Sequence, residues 1–236
     1  RAKGLADVKR GQTFTKISNV ITIAVRLGGS GDPNSNPRLR TALDDAKKVN
    51  MPKENIERAI DKGLGKLPGQ MLEEVVYEGF GPGKTAFLLE GITDNKLRTN
   101  QEIRSLFERS GGTLGGLGSV LYMFDKIGEI VIKGKGGDME EEILELIDLG
   151  AVDVEDQKDA EIQKYLVYVS SPELNTMGTK ITQAGYVIES SEIIYKPNIA
   201  TEISDAETAN KVIEFIEKLE DHDDIHKVYT NLKLTE

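Results

Sequence analysis

The side chains of this sequence with the clearest chemistry are lysines and arginines in the first 70 residues. They lie at the starts and ends of predicted helices whose apolar residues point inward: Lys9, Arg10, Lys16, Arg38, Arg40, Lys47 and Lys48. Arginine side chains and exposed helix N-termini are well suited to phosphate contacts. The pattern therefore favours a polyanion partner, and the alternative is an ordinary solvated helical surface.

A glycine-rich segment, GFGPGKTAF, partly matches two nucleotide- or RNA-binding motifs. A Walker A loop would need glycine where the chain has Glu78, and a helix where a strand is predicted to follow. An RNA-stacking strand would need a basic residue in place of Glu78 and no interruption by Pro82-Gly83. The segment therefore predicts a hairpin turn rather than an ATP or GTP site.

Histidine and carboxylate chemistry has little support in the sequence. His222 and His226 have a spacing that could hold a metal on a continuous helix. However, HDDIHKVY crosses a predicted helix-to-strand junction with no evident third ligand, so we expect a solvated acidic turn. Glu140, Glu141 and Glu142 open a predicted helix, where negative charge suits the macrodipole. We therefore expect no catalytic residue, no metal, no cofactor and no enzymatic activity.

The composition excludes several classes of protein. The 236 residues contain no cysteine, which excludes disulfides, thiolate metal sites and Fe–S clusters. No apolar run approaches the roughly 18 residues of a membrane helix. The net charge of -10 hides a division: residues 1–70 carry 14 basic and 7 acidic side chains, whereas residues 71–236 carry 16 and 33. A basic module joined to an acidic body again indicates a polyanion partner.

The hydrophobic pattern predicts three helices in the first 70 residues. The first stops at Gly28-Gly29, and the second begins with Asn36 as N-cap and Pro37 at the first helical position. Met51-Pro52 is predicted to start the third helix in the same way. Three short helices of this kind predict a small bundle.

From residue 73 the pattern changes to one typical of strands. EEVVYEGF and TAFLLEGIT predict a hairpin, followed by the helix NKLRTNQEIRSLFERSGG and a third strand, SVLYMFDK. The next elements follow the ferredoxin-like order βαββαβ. The helix DAETANKVIEFIEKLED and the strand HKVYTNLKL then complete the interrupted domain. We predict an α+β fold with three parts: a basic helical bundle at 1–70, an α/β domain at 71–128 plus 201–236, and a ferredoxin-like α/β domain inserted at 129–200.

Four stretches of the chain closely resemble the YebC family. They are DVKRGQTFTKI, GDPNSNPRLRTALDDAKKVNMPKENIERAIDKG, YEGFGPGKTAFLLEGITDNKLRTNQEIRSLFERSGG and LEDHDDIHKVYTN. The resemblance spans nearly the whole chain, although residues 130–200 match mainly in the arrangement of their predicted helices and strands. It implies three domains, one inserted into another, in agreement with the periodicity. The family usually begins with a basic and aromatic GHSKW-like segment, whereas this sequence starts at RAKG, so we expect part of the binding surface to lie in such a segment.

The resemblance also implies a non-enzymatic protein that binds nucleic acid or ribosomes. Bacterial members are named as transcriptional regulators, and mitochondrial relatives are described as translational activators. We predict a translation factor that docks on ribosomal RNA through its basic helices. A regulator that binds duplex DNA is the alternative, and an adaptor without a nucleic-acid role is the third hypothesis.

The predicted nucleic-acid-binding residues combine the basic positions of the bundle with two from a resembling stretch. They are Lys3, Lys9, Arg10, Lys16, Arg38, Arg40, Lys47, Lys48, Arg98 and Arg104. We expect neither a membrane nor a small-molecule substrate as partner. The residues of these motifs resemble those of bacterial members of the family. We therefore expect the protein in the bacterial cytoplasm, with the mitochondrial matrix as the alternative.

Overall fold

The computed structural model describes residues 2–158 and 162–235, with side chains from residue 6 onward except at 158. Its helices are α1 (Ala2–Gly28), α2 (Pro37–Lys48), α3 (Lys53–Gly63), α4 (Lys96–Arg109), α5 (Met139–Leu149), α6 (Leu174–Gln183) and α7 (Ala206–Glu220). Its strands are β1 (Glu73–Phe80), β2 (Ala86–Thr93), β3 (Thr113–Leu114), β4 (Phe124–Lys133), β5 (Asp153–Lys158), β6 (Gln163–Ser170), β7 (Val187–Pro197), β8 (Thr201–Ile203), β9 (Ile225–Thr230) and β10 (Leu232–Leu234). The chain divides into two compact units. One runs to Met123 and resumes at Ile199, and the other is Phe124–Asn198.

Helices α1, α2 and α3 form the predicted bundle around one apolar core. Ile21, Leu39 and Ala59, one from each helix, are buried together. The start of α2 confirms the predicted cap, because Asn36 Oδ1 accepts a hydrogen bond from the Leu39 amide at 3.1 Å and proline occupies the first helical position. Between α1 and α2 the chain turns at Gly29, which has a φ of 65° that glycine adopts readily.

The predicted start of α3 is wrong. Pro52 occupies the N-cap position and makes no side-chain cap hydrogen bond, and the helix begins at Lys53. Met51 is buried, and its amide donates to the Ala46 carbonyl oxygen at 2.9 Å, so it closes the turn after α2. A proline side chain has no acceptor, and this cap therefore differs from the one at α2.

The first sheet has the strand order β3-β1-β2-β9. Strands β1 and β2 form the predicted antiparallel hairpin, whose turn is a short 3-10 segment at Pro82–Lys84. Phe87 of β2, Phe107 of α4 and Phe215 of α7 form the centre of the core, with edge-on rings whose centroids lie 4.9 to 6.2 Å apart. Helices α4 and α7 thus cover one face of this sheet.

The predicted third strand, SVLYMFDK, is not a strand of this sheet. The third strand is Thr113–Leu114, residues 121–123 form a 3-10 turn, and Phe124 begins a strand of the second unit. The amides of Val120 and Leu121 donate to the Glu78 carboxylate, so they are not available to a neighbouring strand.

The predicted last strand, HKVYTNLKL, is interrupted by the buried Asn231. Its Oδ1 accepts from the Ala86 amide at 2.8 Å, and its Nδ2 donates to the Ile199 carbonyl oxygen at 3.0 Å. Strand β9 therefore ends before it, and β10 pairs in parallel with β8, a strand that the sequence pattern did not predict.

The second unit confirms the ferredoxin-like prediction. Its antiparallel strands have the order β5-β6-β4-β7, with α5 and α6 contributing to a shared core. Ile130, Tyr165, Leu146 and Ile181 are fully buried there. The unit lies between the two parts of the first unit in the sequence, as an insertion requires.

A buried carboxylate fixes the loop between β3 and β4. Glu78, 3% exposed, accepts hydrogen bonds from the amides of Gly118, Val120 and Leu121 at 2.6, 3.0 and 2.7 Å. Hydrogen bonds to a charged acceptor are stronger than neutral ones, and they compensate for burying the charge. The residue that departs from both nucleotide-binding motifs is therefore a structural anchor.

Replacing Glu78→Ala should leave three amides without their acceptor and lower the free energy of unfolding by about 3 kcal/mol. Urea unfolding followed by circular dichroism measures this loss. Hydrogen exchange should accelerate at Gly118, Val120 and Leu121 in particular. The exposed Glu108→Ala change is the control, with an expected effect within about 0.5 kcal/mol; equal effects of the two changes would contradict the anchoring role.

Candidate nucleic-acid interface

The N-terminal half of α1 presents two of the predicted cations to solvent. Lys9 and Arg10 are both exposed, and the Arg10 guanidinium lies 5.4 Å from the centre of the Phe14 ring one turn later. No described residue forms an ion pair with either cation. The side chain of Lys3 lies outside the described residues. This surface of α1 therefore carries positive charge that no described side chain neutralises through an ion pair.

Helix α2 carries further predicted cations at its two ends. The Arg40 guanidinium donates to the Pro33 carbonyl oxygen at 3.1 and 3.2 Å and is held over the turn before the helix. Lys47 and Lys48 at the other end lie 3.5 and 3.1 Å from aspartates one turn earlier. Exposed pairs of this kind contribute little stability, so both lysines can exchange their partners for a phosphate.

Two of the predicted binding residues instead contact the α/β domain. Lys16 Nζ donates to the Glu220 carbonyl oxygen at the end of α7, and Arg38 pairs with Glu74 of β1. Burial lowers the pKa of Lys16, although nearby carboxylates such as that of Asp223 raise it. These two cations connect the bundle to the α/β domain, which is a role that the sequence pattern did not predict.

Arg98 also has structural partners within the protein. Arg98 Nη2 donates to Asp224 at 2.9 Å and to Asp94 at 3.1 Å, and the hydrogen bond to Asp224 raises the pKa of Arg98. The Thr99 hydroxyl donates to the same Asp224 oxygen at 2.8 Å. Arg104 is exposed and has no partner among the described residues. Arg98 thus binds an acidic turn, residues 221–224, and Lys16 binds the end of the helix that precedes this turn.

The same acidic turn contains a group of potential metal ligands that the sequence pattern did not indicate. Glu102, His222 and Asp224 place one ligand atom each within 4.8 Å of one another. His222 Nδ1 accepts from the Asp224 amide at 3.1 Å, so the ring proton lies on Nε2 and points to Glu102 Oε2 at 2.8 Å. To bind a metal, His222 would need a free lone pair on Nε2, and its proton would then move to Nδ1. The Nδ1–H group would face the amide N–H of Asp224, and their hydrogen bond would be lost. The geometry therefore fits a hydrogen-bond network better than a metal site.

The other histidine lies apart from this network. His226 is largely buried in β9, and its Nδ1 has no hydrogen-bond partner among the described residues. Burial, with a smaller contribution from Lys227, lowers its pKa to about 4. The two histidines therefore do not form the metal pair that their spacing could suggest.

A cleft with a volume of about 1440 Å³, lined by polar and apolar side chains alike, lies between the bundle and helix α4. Helices α1, α3 and α4 and the segment after α3 line it, and the acidic turn also lies on its wall. Arg58, Lys62 and Arg109 are cations of this lining that were not among the predicted binding residues. Their shared location depends on how the helices pack, which sequence spacing does not reveal.

The fold and these surfaces define a class of protein: a basic helical bundle joined to an α/β domain that carries an inserted ferredoxin-like domain. The chain belongs to the TACO1/YebC family. The model of the TACO1/YebC protein N-terminal domain matches residues 1–66, and the model of the TACO1/YebC second and third domain matches residues 72–232.

Relatives from bacteria match nearly the full chain. A protein of Syntrophomonas wolfei is 43% identical over 98% of this chain and 92% of its own length. One of Moorella thermoacetica is 46% identical over 97% and 90%. Both are named "Probable transcriptional regulatory protein". The crystal structure of a conserved hypothetical protein from Aquifex aeolicus is similar, with a TM-score of 0.84, 42% identity, and coverage of 98% of this chain and 93% of that one.

The buried His226 predicts a pH dependence of stability. Its pKa is about 4 in the folded protein and about 6.5 when unfolded, so the unfolded chain binds more protons between these values. Stability should therefore fall as the pH is lowered through this window, by up to about 1.4 kcal/mol per pH unit. Urea unfolding of wild type and His226→Gln measures the effect. In the variant, the free energy of unfolding should depend less steeply on pH between about 4 and 6.5. An unchanged pH dependence would show that another group causes it.

Proposed function

We propose that this protein is a regulator of gene expression that acts in translation by docking on ribosomal RNA. The supporting observation is the segregation of charge, +7 in residues 1–70 against -17 in the remainder. Within the bundle the apolar sides of α1, α2 and α3 pack together, so the cations of α1 and α2 lie on exposed surfaces. We refer to Lys9, Arg10, Arg40, Lys47 and Lys48 as the outer basic face.

The chemistry of this outer basic face suits phosphate contacts rather than base recognition. Its side chains are long, flexible and mostly exposed, and such contacts fix position without selecting sequence. Structured RNA is recognised largely by shape and backbone, which requires no recognition helix. The proposed role is binding rather than catalysis, and the bacterial relatives support a cytoplasmic location. No helix in the described part of the chain is long and apolar enough to cross a membrane.

A second candidate function is regulation through duplex DNA, because the relatives are named as transcriptional regulators. The four residues between α2 and α3 have the length of the turn in a helix-turn-helix motif. Helix α3 is a poor recognition helix, however, since its three basic side chains are balanced by three acidic ones: Lys53, Glu54, Glu57, Arg58, Asp61 and Lys62. Specific DNA binding should withstand excess competitor DNA with roughly thousandfold discrimination. We expect only weak, salt-sensitive and sequence-independent retention of DNA in that assay.

Reversing three charges of the outer basic face tests the ribosomal proposal. The triple variant Arg40→Glu, Lys47→Glu, Lys48→Glu should no longer co-sediment with ribosomes from a DNase-treated lysate at moderate salt. Wild-type binding should decrease steeply as salt is raised, because phosphate contacts release counterions.

The matched control reverses three exposed lysines of the α/β domain, Lys211→Glu, Lys218→Glu and Lys233→Glu. Two of them have exposed carboxylate partners, as Lys47 and Lys48 do. The control should sediment like wild type, and circular dichroism should show that both variants are folded. Equal binding of the control and the outer-face variant would disprove docking through the bundle, and so would wild-type protein that stays at the top of the gradient at every salt concentration.

A further inference from the structure

Helix α5 of the inserted domain leaves apolar side chains exposed to solvent. Leu144 and Ile147, three residues apart and therefore neighbours on one side of the helix, are 61% and 45% exposed. Val152, one residue before β5, is 68% exposed. None of the three belongs to the core of the domain, which Leu146 of the same helix enters. The packing of the domain therefore does not explain these apolar residues.

The exposed side chains lie on the side of α5 that faces strand β5. On the other side, Glu145 accepts a hydrogen bond from the Tyr186 hydroxyl at 2.7 Å, and Tyr186 directly precedes β7 at the far edge of the sheet. Ile147, two residues after Glu145, points roughly 200° away from it around the helix. Helix α5 also contacts β5, and Val154 of β5 packs against the shared core. The α5–β5 edge is the name used below for strand β5 together with Leu144, Ile147 and Val152.

Strand β5 offers backbone hydrogen bonds beside these apolar side chains. The sheet has the order β5-β6-β4-β7, so β5 pairs with β6 on one side and with no strand of the described chain on the other. The outward N–H and C=O groups of an edge strand are a template for pairing with another chain. A helical partner would leave these groups unused, whereas an extended segment would pair with them and also reach the helix beside the strand. The backbone therefore favours an extended partner.

The charge around the α5–β5 edge is negative. Glu140, Glu141 and Asp148 lie one turn from Leu144, all three are exposed, and no described residue forms an ion pair with their carboxylates. The domain as a whole, residues 124–198, carries 16 acidic and 7 basic side chains. Two copies of the chain that met at this edge would bring like charges together, which is unfavourable. The charge therefore favours a basic partner over a second copy of this protein.

The two faces of β5 require different side chains from a strand that pairs with it. Val154 faces the helices, and because successive side chains alternate, Asp153 and Glu155 lie on the opposite face. Lys196 approaches these two carboxylates to 3.9 and 2.7 Å and can neutralise only one of the two charges. Residues directly opposite each other on paired strands share a face. An added strand would therefore place apolar residues beside Ile147 and basic residues beside Asp153 and Glu155, in alternation.

We infer that the α5–β5 edge binds an extended segment of a partner protein, in which basic and apolar residues alternate, as an additional strand. Backbone hydrogen bonds to β5 supply one part of the affinity, and burial of Leu144, Ile147 and Val152 supplies another. Because the edge belongs to the inserted domain, the inference does not depend on the proposed docking of the helical bundle on RNA. It gives the protein a second partner, bound by a different domain.

The probe is a capped, fluorescent peptide of four Lys-Val repeats, and anisotropy measures its binding to the full chain at concentrations where the peptide alone is monomeric. A peptide of the same composition arranged in Lys-Lys-Val-Val blocks should bind at least about tenfold more weakly, because it cannot place all its valines on one face. A peptide of Glu-Val repeats should not bind. The affinity for the Lys-Val peptide should fall as salt is raised, since exposed charges are then screened.

The edge variant Leu144→Ser, Ile147→Ser should bind the Lys-Val peptide at least about tenfold more weakly than wild type, because two apolar contacts are lost. The matched control replaces two exposed apolar residues of other helices, Leu97→Ser and Ile213→Ser, and should bind like wild type. All four side chains are exposed, so urea unfolding should show that both variants are folded, with midpoints close to that of wild type.

Hydrogen exchange identifies the mode of binding. The Lys-Val peptide should slow the exchange of amides within residues 153–158 of wild type, as strand addition requires. Protection confined to α5 would overturn the inference, and so would equal affinity for the alternating and block peptides, equal binding by wild type and edge variant, or no binding by wild type. Sedimentation velocity tests the remaining occupant: a wild-type dimer that the edge variant no longer forms would show that a second copy covers this edge, which also contradicts the inference.

Discussion

The structure of the first unit depends on the burial of α1 on more than one side. All five residues from Ile21 to Val25 are buried, which a helix with a single apolar face cannot achieve. One side packs on α2 and α3, and the helix also contacts β2. Lys16 and Arg26 add hydrogen bonds to main-chain carbonyl oxygens of Glu220 and Leu72. Because α1 is fixed in this way, the bundle and the first sheet form one unit, and α1 becomes a wall of the cleft beside α4.

Buried glutamates organise loops in both units by the same chemistry. Glu78 accepts hydrogen bonds from amides of the loop before β4. Glu142 accepts hydrogen bonds from the amides of Lys135 and Gly137 at 3.0 Å and from the Tyr165 hydroxyl at 2.8 Å. Sequence reasoning placed Glu142 at the start of a helix, and it lies in the first turn of α5. Its burial, at 4% exposed, was not predicted, and it is possible because glycines nearby leave room for its carboxylate. Amide donors thus stabilise both charges without a cation, which leaves the lysines and arginines free for other roles.

Local rules predicted the elements that depend on local chemistry. The cap at Asn36, the hairpin of β1 and β2 and the order of elements in the inserted domain follow from capping, turn residues and periodicity. Apart from the start of α3, where a local turn places Pro52 before the helix, two failures share one cause, which is a polar contact between residues far apart in sequence. Asn231 accepts a hydrogen bond from Ala86 and divides the last strand. Glu78 accepts hydrogen bonds from Gly118, Val120 and Leu121 and prevents the predicted third strand. No periodicity in the chain contains this information.

The same limit applies to the charged residues, for which type and position along a helix did not indicate which cations are free. Arg38 and Arg98 have carboxylate partners, whereas Arg109, which lies in the acidic part of the sequence, has none among the described residues. The net charge of a domain therefore indicates whether it attracts a polyanion, but it does not show which of its cations are free to contact a phosphate. At physiological ionic strength charges are screened beyond about 8 Å, so a phosphate responds mainly to its nearest neighbours. An acidic α/β domain can consequently present single exposed cations, such as Arg109, whose surroundings differ from the average charge of the domain.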